Sequence, residues 1–297
     1  MITTEEQPSS LVIGGTGLVG SYIVEQLTRR GERPYALSRS LQNNSDVNWL
    51  QGDLQRPDML KFPAITTLYC TADAALLAKA IPHLLKTPFK RLVAFSSTSV
   101  LTKQNSEDTA EREMIRRLSD AEQMIVAECE RQNVGWTILR PTLIYAEGRD
   151  TNITPLSQLI RRFGFMPLVG SAQGLRQPVH AEDLAIGALA AADSPAAANK
   201  FYSLPGAETL PYREMVGRIF DGLHLTRRLV SVPAVLWRAG FLVAKPLYPG
   251  ANVAMGMRMK KDMTFDSTPA IRDFGWNPRA FKPSFPSTLR SRAMTTA

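Results

Sequence analysis

The residues of this 297-residue chain best suited to chemistry lie near its start. There Gly14-Gly15-Thr16-Gly17-Leu18-Val19-Gly20 follows the apolar run Leu11-Val12-Ile13. Glycines at 14, 17 and 20 permit a tight turn, a close backbone approach and close helix packing. A helix that opens here has first-turn N–H groups with no acceptor inside the helix, so its end carries partial positive charge and suits a pyrophosphate. The spacing alone also fits an ordinary glycine-rich strand-to-helix turn. Its place directly after an apolar strand favours the phosphate cradle. The two cysteines, Cys70 and Cys129, lack metal-ligand spacing and read as core residues, so neither a metal site nor a disulfide is expected.

The elements that must hold this turn follow from hydrophobic patterning. Short apolar runs recur at Leu11 to Ile13, Pro34 to Leu37, Val47 to Leu50, Ile65 to Cys70, Arg91 to Phe95 and Gly135 to Leu139, with helical patterns between most of them. Continuous rather than alternating runs predict strands covered on both faces, and the strand-helix alternation predicts right-handed crossovers in a parallel sheet. The fold class is therefore α/β: a Rossmann-type doubly wound sheet over residues 1–150, with a smaller mixed α/β substrate-side region over 151–297. A long helix from about Ser106 to Gln132 presents Met114, Leu118, Ala121, Ile125 and Cys129 on one face. Further helices are expected near Thr154 to Phe163, Ala181 to Ala192 and Tyr212 to Leu223. A late helix is signalled by Thr268 as cap, Pro269 in its first turn and Gly275 beyond its end.

The hydrophobic fraction, 44%, supports a large core, and no apolar stretch approaches the length of a membrane span. With no N-terminal signal pattern, a cytoplasmic location is expected. The net charge of +8 is uneven: residues 213–297 hold 14 Lys or Arg against 5 acids, whereas residues 1–212 are balanced at 21 against 22. A phosphate-bearing small substrate, an anionic membrane surface and a solvated basic face each fit this surplus. No nucleic-acid motif occurs, and no nucleic-acid partner is expected. The stretch from Val235 to Lys245 combines aromatics and cations around an apolar centre, which reads as a packed helix or as peripheral membrane contact.

Later motifs complete a set that resembles the short-chain dehydrogenase/reductase superfamily, in the extended or atypical branch of epimerases and dehydratases. They are Gly52-Asp53-Leu54, Phe95-Ser96-Ser97-Thr98-Ser99, Leu139-Arg140-Pro141-Thr142-Leu143-Ile144-Tyr145, Gln177-Pro178-Val179-His180-Ala181-Glu182-Asp183-Leu184-Ala185 and Phe274-Gly275-Trp276-Asn277-Pro278. The resemblance implies cofactor contacts at Gly14, Thr16, Gly17, Leu18, Val19, Gly20, Ser38, Arg39, Asp53, Leu54, Cys70, Thr71, Ala72, Ser96 and Pro141. It implies substrate contacts at Thr142, Tyr145, Arg149, Arg176 and His180, with Arg213 a further basic residue for substrate phosphates, and a homodimer by analogy. Arg39 stands where an NAD-preferring relative usually has an acid. A guanidinium there, with Ser38, suits a 2′-phosphate and selects NADP over NAD.

One part of the pattern is missing. Catalytic members exchange a proton through a tyrosine and a lysine four residues later on the long helix, aided by a serine or threonine after the fifth strand. Ser97 fits the last role, or Thr98 if the register slips by one. The other two slots fall on Arg116 and Asp120, which read instead as an exposed i, i+4 ion pair. No tyrosine occurs between Tyr69 and Tyr145, and Lys103 is the only lysine between Lys90 and Lys200. Arginine stays protonated and cannot cycle a proton, so the substitutes to consider are Lys103, just past the fifth strand, Tyr145, beyond the sixth, and His180, with Lys103 the one carried forward as catalytic. The sequence is read as an NADP-dependent reductase or epimerase acting on a nucleotide sugar or related carbonyl compound, since its substrate-side segments are intact; the alternative is a dinucleotide-binding sensor or structural subunit without proton-transfer chemistry.

Overall fold

A computed structural model describes residues 9–106, 108–237 and 258–285. The chain divides into two compact units. Unit 1 holds residues 1–142, 181–205 and 265–278, and unit 2 holds residues 143–180, 206–264 and 279–297. The single boundary expected near residue 150 gives way to this interleaved division, because two later segments return to the first sheet.

Unit 1 is built on seven strands: β1 (Ser10–Ile13), β2 (Tyr35–Ser38), β3 (Asn48–Gln51), β4 (Thr67–Cys70), β5 (Arg91–Phe95), β6 (Gly135–Pro141) and β11 (Lys200–Leu204). They pair in the order β11-β6-β5-β4-β1-β2-β3, and every pairing is parallel. Val12, Ala36, Leu68, Leu92, Val93, Ala94 and Ile138 are almost wholly buried, as the continuous apolar runs require when helices cover both faces. The strand order reverses between β1 and β4. A crevice therefore opens beyond their carboxyl ends, where such sheets hold ligands.

Helices α1 (Leu18–Arg29), α2 (Ala74–Leu84), α3 (Ser99–Thr102), α4 (Thr109–Arg131) and α6 (Ala181–Asp193) join or flank these strands. The long helix expected from Ser106 begins at Thr109, with the Asp108 carboxylate accepting the N–H groups of Ala110 and Glu111 as its cap. Met114, placed by its spacing on the buried face, is 48% exposed, whereas Ile115 is buried. The late helix α8 (Thr268–Phe274) ends at Gly275 with φ +70°, but its cap residue is Ser267, one position before the expected Thr268.

Unit 2 is made from short pieces: β7 (Ile144–Tyr145), α5 (Thr154–Phe163), β8 (Met166–Val169), β9 (Leu175–Arg176), β10 (Val179–His180), β12 (Leu210–Pro211), α7 (Tyr212–Gly222) and β13 (Leu229–Val232). They form three two-stranded sheets, β7 with β10, β9 with β12, and β8 with β13. Ile153, Ile160, Leu168, Met215, Ile219, Phe220 and Phe281 fill its core. No helix among the described residues is long and apolar enough to cross a membrane. From residue 238 onward, the Val235–Lys245 stretch singled out above lies outside the described residues, as does Glu107.

Candidate functional site

The glycine turn sits between β1 and α1, at the carboxyl edge of the unit 1 sheet. Gly14 has φ +84°, and a Cβ there would meet Thr71 Oγ1 at 2.5 Å; a Cβ at Gly20 would meet the Gly14 carbonyl oxygen at 2.0 Å. The glycines are thus required first by the turn itself. The Gly17 N–H donates to the Gly14 carbonyl at 2.8 Å, and the Thr71 hydroxyl at the end of β4 reaches the carbonyls of Ile13 and Gly14. Thr16 and Gly17 are exposed, Leu18 is half-buried, and Val19 and Gly20 are buried. No side chain caps α1 at Gly17, so the first-turn amides of Leu18 and Val19 remain directed at whatever lies above the turn. An open, positively polarised cradle of this kind fits a dinucleotide pyrophosphate.

Around the cradle, the sequence-predicted contacts fall into distinct environments. Arg39 is exposed just past β2. Ser38 is buried, and its hydroxyl donates to the Ser40 carbonyl at 2.8 Å while accepting the Ser40 N–H, so it braces the turn that carries Arg39. The half-buried Asp53 accepts the Gln55 N–H at 2.9 Å, and Leu54 packs into the sheet core. Cys70 is fully buried, which pushes its thiol up to about 12 and keeps it unreactive; Ala72 is half-buried beside the turn.

At the end of β5 three hydroxyls differ sharply. Ser96 donates its N–H to the Leu139 carbonyl, and its Oγ is buried without a hydrogen-bond partner. Ser97 Oγ accepts the Ser99 N–H at 3.1 Å and keeps its own proton free to donate. Thr98 is buried and spends its hydroxyl proton on the Pro141 carbonyl at 3.0 Å. Thr142 follows, half-buried, with its N–H directed to the Leu204 carbonyl. Lys103 Nζ lies 3.0 Å from Glu111 Oε1, in a pair whose side chains are mostly buried, and Ser106 donates to the other Glu111 oxygen.

The two faces of α4 do different work. Inward, the buried Glu122 carboxylate takes a bidentate grip from Arg140 of β6, and that guanidinium stacks 4.2 Å over the Phe201 ring. Outward, Arg116 and Asp120 are exposed beside an open groove of about 480 Å³ that Arg112, Glu113 and Ser119 also line. Arg116 is held by Glu113 through Nε and Nη2 at 3.1 and 3.0 Å, so its partner lies three residues before it and not at Asp120 as expected.

Unit 2 gathers its own group of predicted residues. Tyr145 is buried, with its ring edge-on to His180 at 5.1 Å and to Phe281 at 5.0 Å. His180 Nε2 lies 3.5 Å from Glu147 Oε2, and Glu147 Oε1 accepts the Ser284 N–H. Burial works against the Glu147 charge, but the hydrogen bonds from His180 and the backbone outweigh it and hold the carboxyl below its usual range. Arg149 is exposed in the loop after β7, and Arg213 is half-buried, reaching Ser231 Oγ and the Leu229 carbonyl.

Arg176 departs from the expectation of a phosphate contact. It is buried and donates to the carbonyls of Leu175, Lys261 and Arg258, which gives its guanidinium a structural role fastening residues 258–261 to β9. Sequence reasoning also missed Asp150. This carboxylate accepts four backbone N–H groups, from Ala146, Asn152, Ile153 and Thr154, together with the Thr154 hydroxyl. A carboxylate four residues before Thr154 in the chain is its only sequence mark.

Comparisons with known proteins agree with this architecture. Residues 10–66 match the model of the NAD dependent epimerase/dehydratase family. A mitochondrial NADH dehydrogenase [ubiquinone] 1 alpha subcomplex subunit 9 from Arabidopsis thaliana is 25% identical over 269 residues; the match spans 80% of this chain and 65% of that protein. A UDP-glucose 4-epimerase from Vibrio cholerae is 21% identical, covering 97% of this chain and 94% of its own.

Among solved structures, the UDP-glucose 4-epimerase of Thermotoga maritima with UDP-glucose superimposes with a TM-score of 0.69 at 14% identity, over 92% of this chain and 94% of that one. The dTDP-glucose 4,6-dehydratase of Bacillus anthracis in complex with NAD gives 0.68 at 15% identity, over 92% of each. At these identities the structures report a shared fold. The chain thus shares the fold of these epimerase and dehydratase structures and, over residues 10–66, matches the sequence pattern of the NAD dependent epimerase/dehydratase family.

Proposed function

We propose that this chain binds an NADP-type dinucleotide without carrying the proton-transfer chemistry of catalytic relatives, and acts as a sensor or structural subunit. The observation that carries this reading is the contrast around the β5 and α4 ends of unit 1. Thr16 and Gly17 are exposed and no side chain caps α1, while Thr98, Lys103 and Arg116 are engaged elsewhere. Thr98 is committed to Pro141, Lys103 to Glu111 and Arg116 to Glu113. The pyrophosphate would rest on the amides of Leu18 and Val19, and the exposed Arg39 would pair with the 2′-phosphate. The bound nicotinamide would supply hydride chemistry; the residues of this chain orient and bind. The likeness to a subunit of a mitochondrial NADH dehydrogenase [ubiquinone], 65% of whose length the match spans, supports a role inside an assembly.

A second reading is favoured by Ser97, whose hydroxyl proton is free, and by the structural likeness to a UDP-glucose 4-epimerase. In it the chain is an NADP-dependent reductase or epimerase, with Ser97 donating to a carbonyl of a nucleotide sugar. Calorimetric titration with NADPH and NADH, then a search for NADP+ reduction and for epimer formation with UDP-glucose and UDP-glucuronic acid, separates the two. Tighter binding of NADPH with no turnover is expected. Turnover would replace the first reading by the second, and absence of binding to either coenzyme would overturn both.

A further inference from the structure

The basic surplus of the chain takes a specific form in unit 2. Residues 151–181 and 222–261 contain no Asp or Glu, yet they hold ten Arg or Lys. These two acid-free stretches supply β8 and β13, which pair in parallel with Met166 opposite Leu229. The pairing brings together what precedes each strand, and the Met166 N–H donates to the Arg228 carbonyl at 2.9 Å. On the β8 side, Phe163 and Phe165 flank the left-handed Gly164 that ends α5; they are 46% and 43% exposed, with ring centroids 6.4 Å apart. Arg162 lies 5.2 Å from the Phe163 ring. On the β13 side stand exposed Arg228, Leu225 and Val230. Neither Arg162 nor Arg228 has a carboxylate partner among the described residues.

Large apolar side chains and unneutralised guanidiniums on one edge are costly in water unless that edge meets something both apolar and anionic. From this edge we infer a docking surface for an anionic lipid bilayer, with Phe163 and Phe165 entering the headgroup–acyl boundary and Arg162 and Arg228 meeting lipid phosphates. Charge complementarity selects the anionic surface. The aliphatic Leu225 and Val230 select lipid over nucleic acid, whose phosphates and bases give them no partner. Arg162 also complements the negative end of α5, but that role asks for no exposed phenylalanine pair.

The test is flotation of the full chain with vesicles of phosphatidylcholine alone and of phosphatidylcholine with about one-third phosphatidylserine, at low and high salt. Binding to the anionic vesicles, lost on the neutral ones and weakened by salt, is expected. Phe163→Ser with Phe165→Ser, and separately Arg162→Glu with Arg228→Glu, should each lower the bound fraction by more than about tenfold while leaving the circular dichroism spectrum unchanged. No flotation on anionic vesicles would overturn the inference, as would flotation that survives both folded double variants. Capture of a single-stranded oligonucleotide that the same substitutions abolish, with no flotation, would overturn it in favour of a nucleic-acid surface.

Discussion

The cradle between β1 and α1 and the outward face of α4 belong to the same unit, yet the chain treats them in opposite ways. In the cradle each small residue is held by its neighbours: Gly20 has no room for a Cβ, and Gly14 takes a backbone angle that side chains resist. On the outer α4 face, solvent-exposed residues settle into ordinary ion pairs, with Arg116 on Glu113 and Arg131 on Glu128. A binding surface can persist through its own packing, whereas a proton relay needs particular side chains at positions the fold does not otherwise require. The two can therefore part company without loss of the fold.

The largest effect expected from any test of this contrast is on the inward side of the same helix. Glu122→Ala would leave the mostly buried Arg140 guanidinium uncompensated and should destabilise the protein by about 3–5 kcal/mol, read by urea unfolding. A much smaller loss would mean that α4 does not depend on this pair. Next comes Arg39→Asp, which removes the charged hydrogen bond proposed for a 2′-phosphate. NADPH affinity should fall by about 10- to 100-fold in calorimetry while NADH affinity holds or rises. Equal losses for both coenzymes would place Arg39 outside the selection.

Asp150 offers a smaller effect with a defined pH signature. Burial opposes its charge, but the hydrogen bonds from Thr154 and from the Ile153, Thr154 and Asn152 amides prevail and hold its carboxyl below the ordinary range. A depressed carboxyl stabilises the fold fully above its unfolded pKa of about 3.9, and that stability is lost as pH falls through the folded value. Asp150→Asn should cost about 1–2 kcal/mol at neutral pH and flatten the acid limb of the unfolding profile. An unchanged acid limb would show that other carboxylates set it. Smallest of all, Arg116→Ala should leave both the melting temperature and NADPH binding as they are. A fall in coenzyme affinity there would erase the distinction between the two regions.

Much of this was legible before any coordinates. The apolar runs located all six expected strands of the sheet to within two residues at each end, because a strand buried on both faces leaves a continuous apolar run whose short length and flanking breakers set it apart from a helix. The glycine turn was legible for the same reason: its spacing is dictated by local sterics. What escaped depends on distant partners. Nothing local assigns the seventh strand, β11, its place beside β6 some 60 residues earlier. The choice of Glu113 over Asp120 by Arg116 turns on rotamers, and the burial of Arg176 turns on three carbonyls, two of them more than 80 residues away. Thr98 reads as a donor in sequence and is a tether in space, since the Pro141 carbonyl that takes its proton comes from another strand.

That return of β11 has a practical consequence. Residues 1–150 expressed alone would present β6 as a bare edge, stripped of the strand beside it and of α6 and α8. Open ladder groups next to Trp136 and Ile138 invite pairing with a second copy. The half that carries the glycine turn is accordingly no detachable module: a fragment trimmed to residues 1–150 should yield inclusion bodies, while fragments that reach past Pro278 keep the closing strand and stay monodisperse.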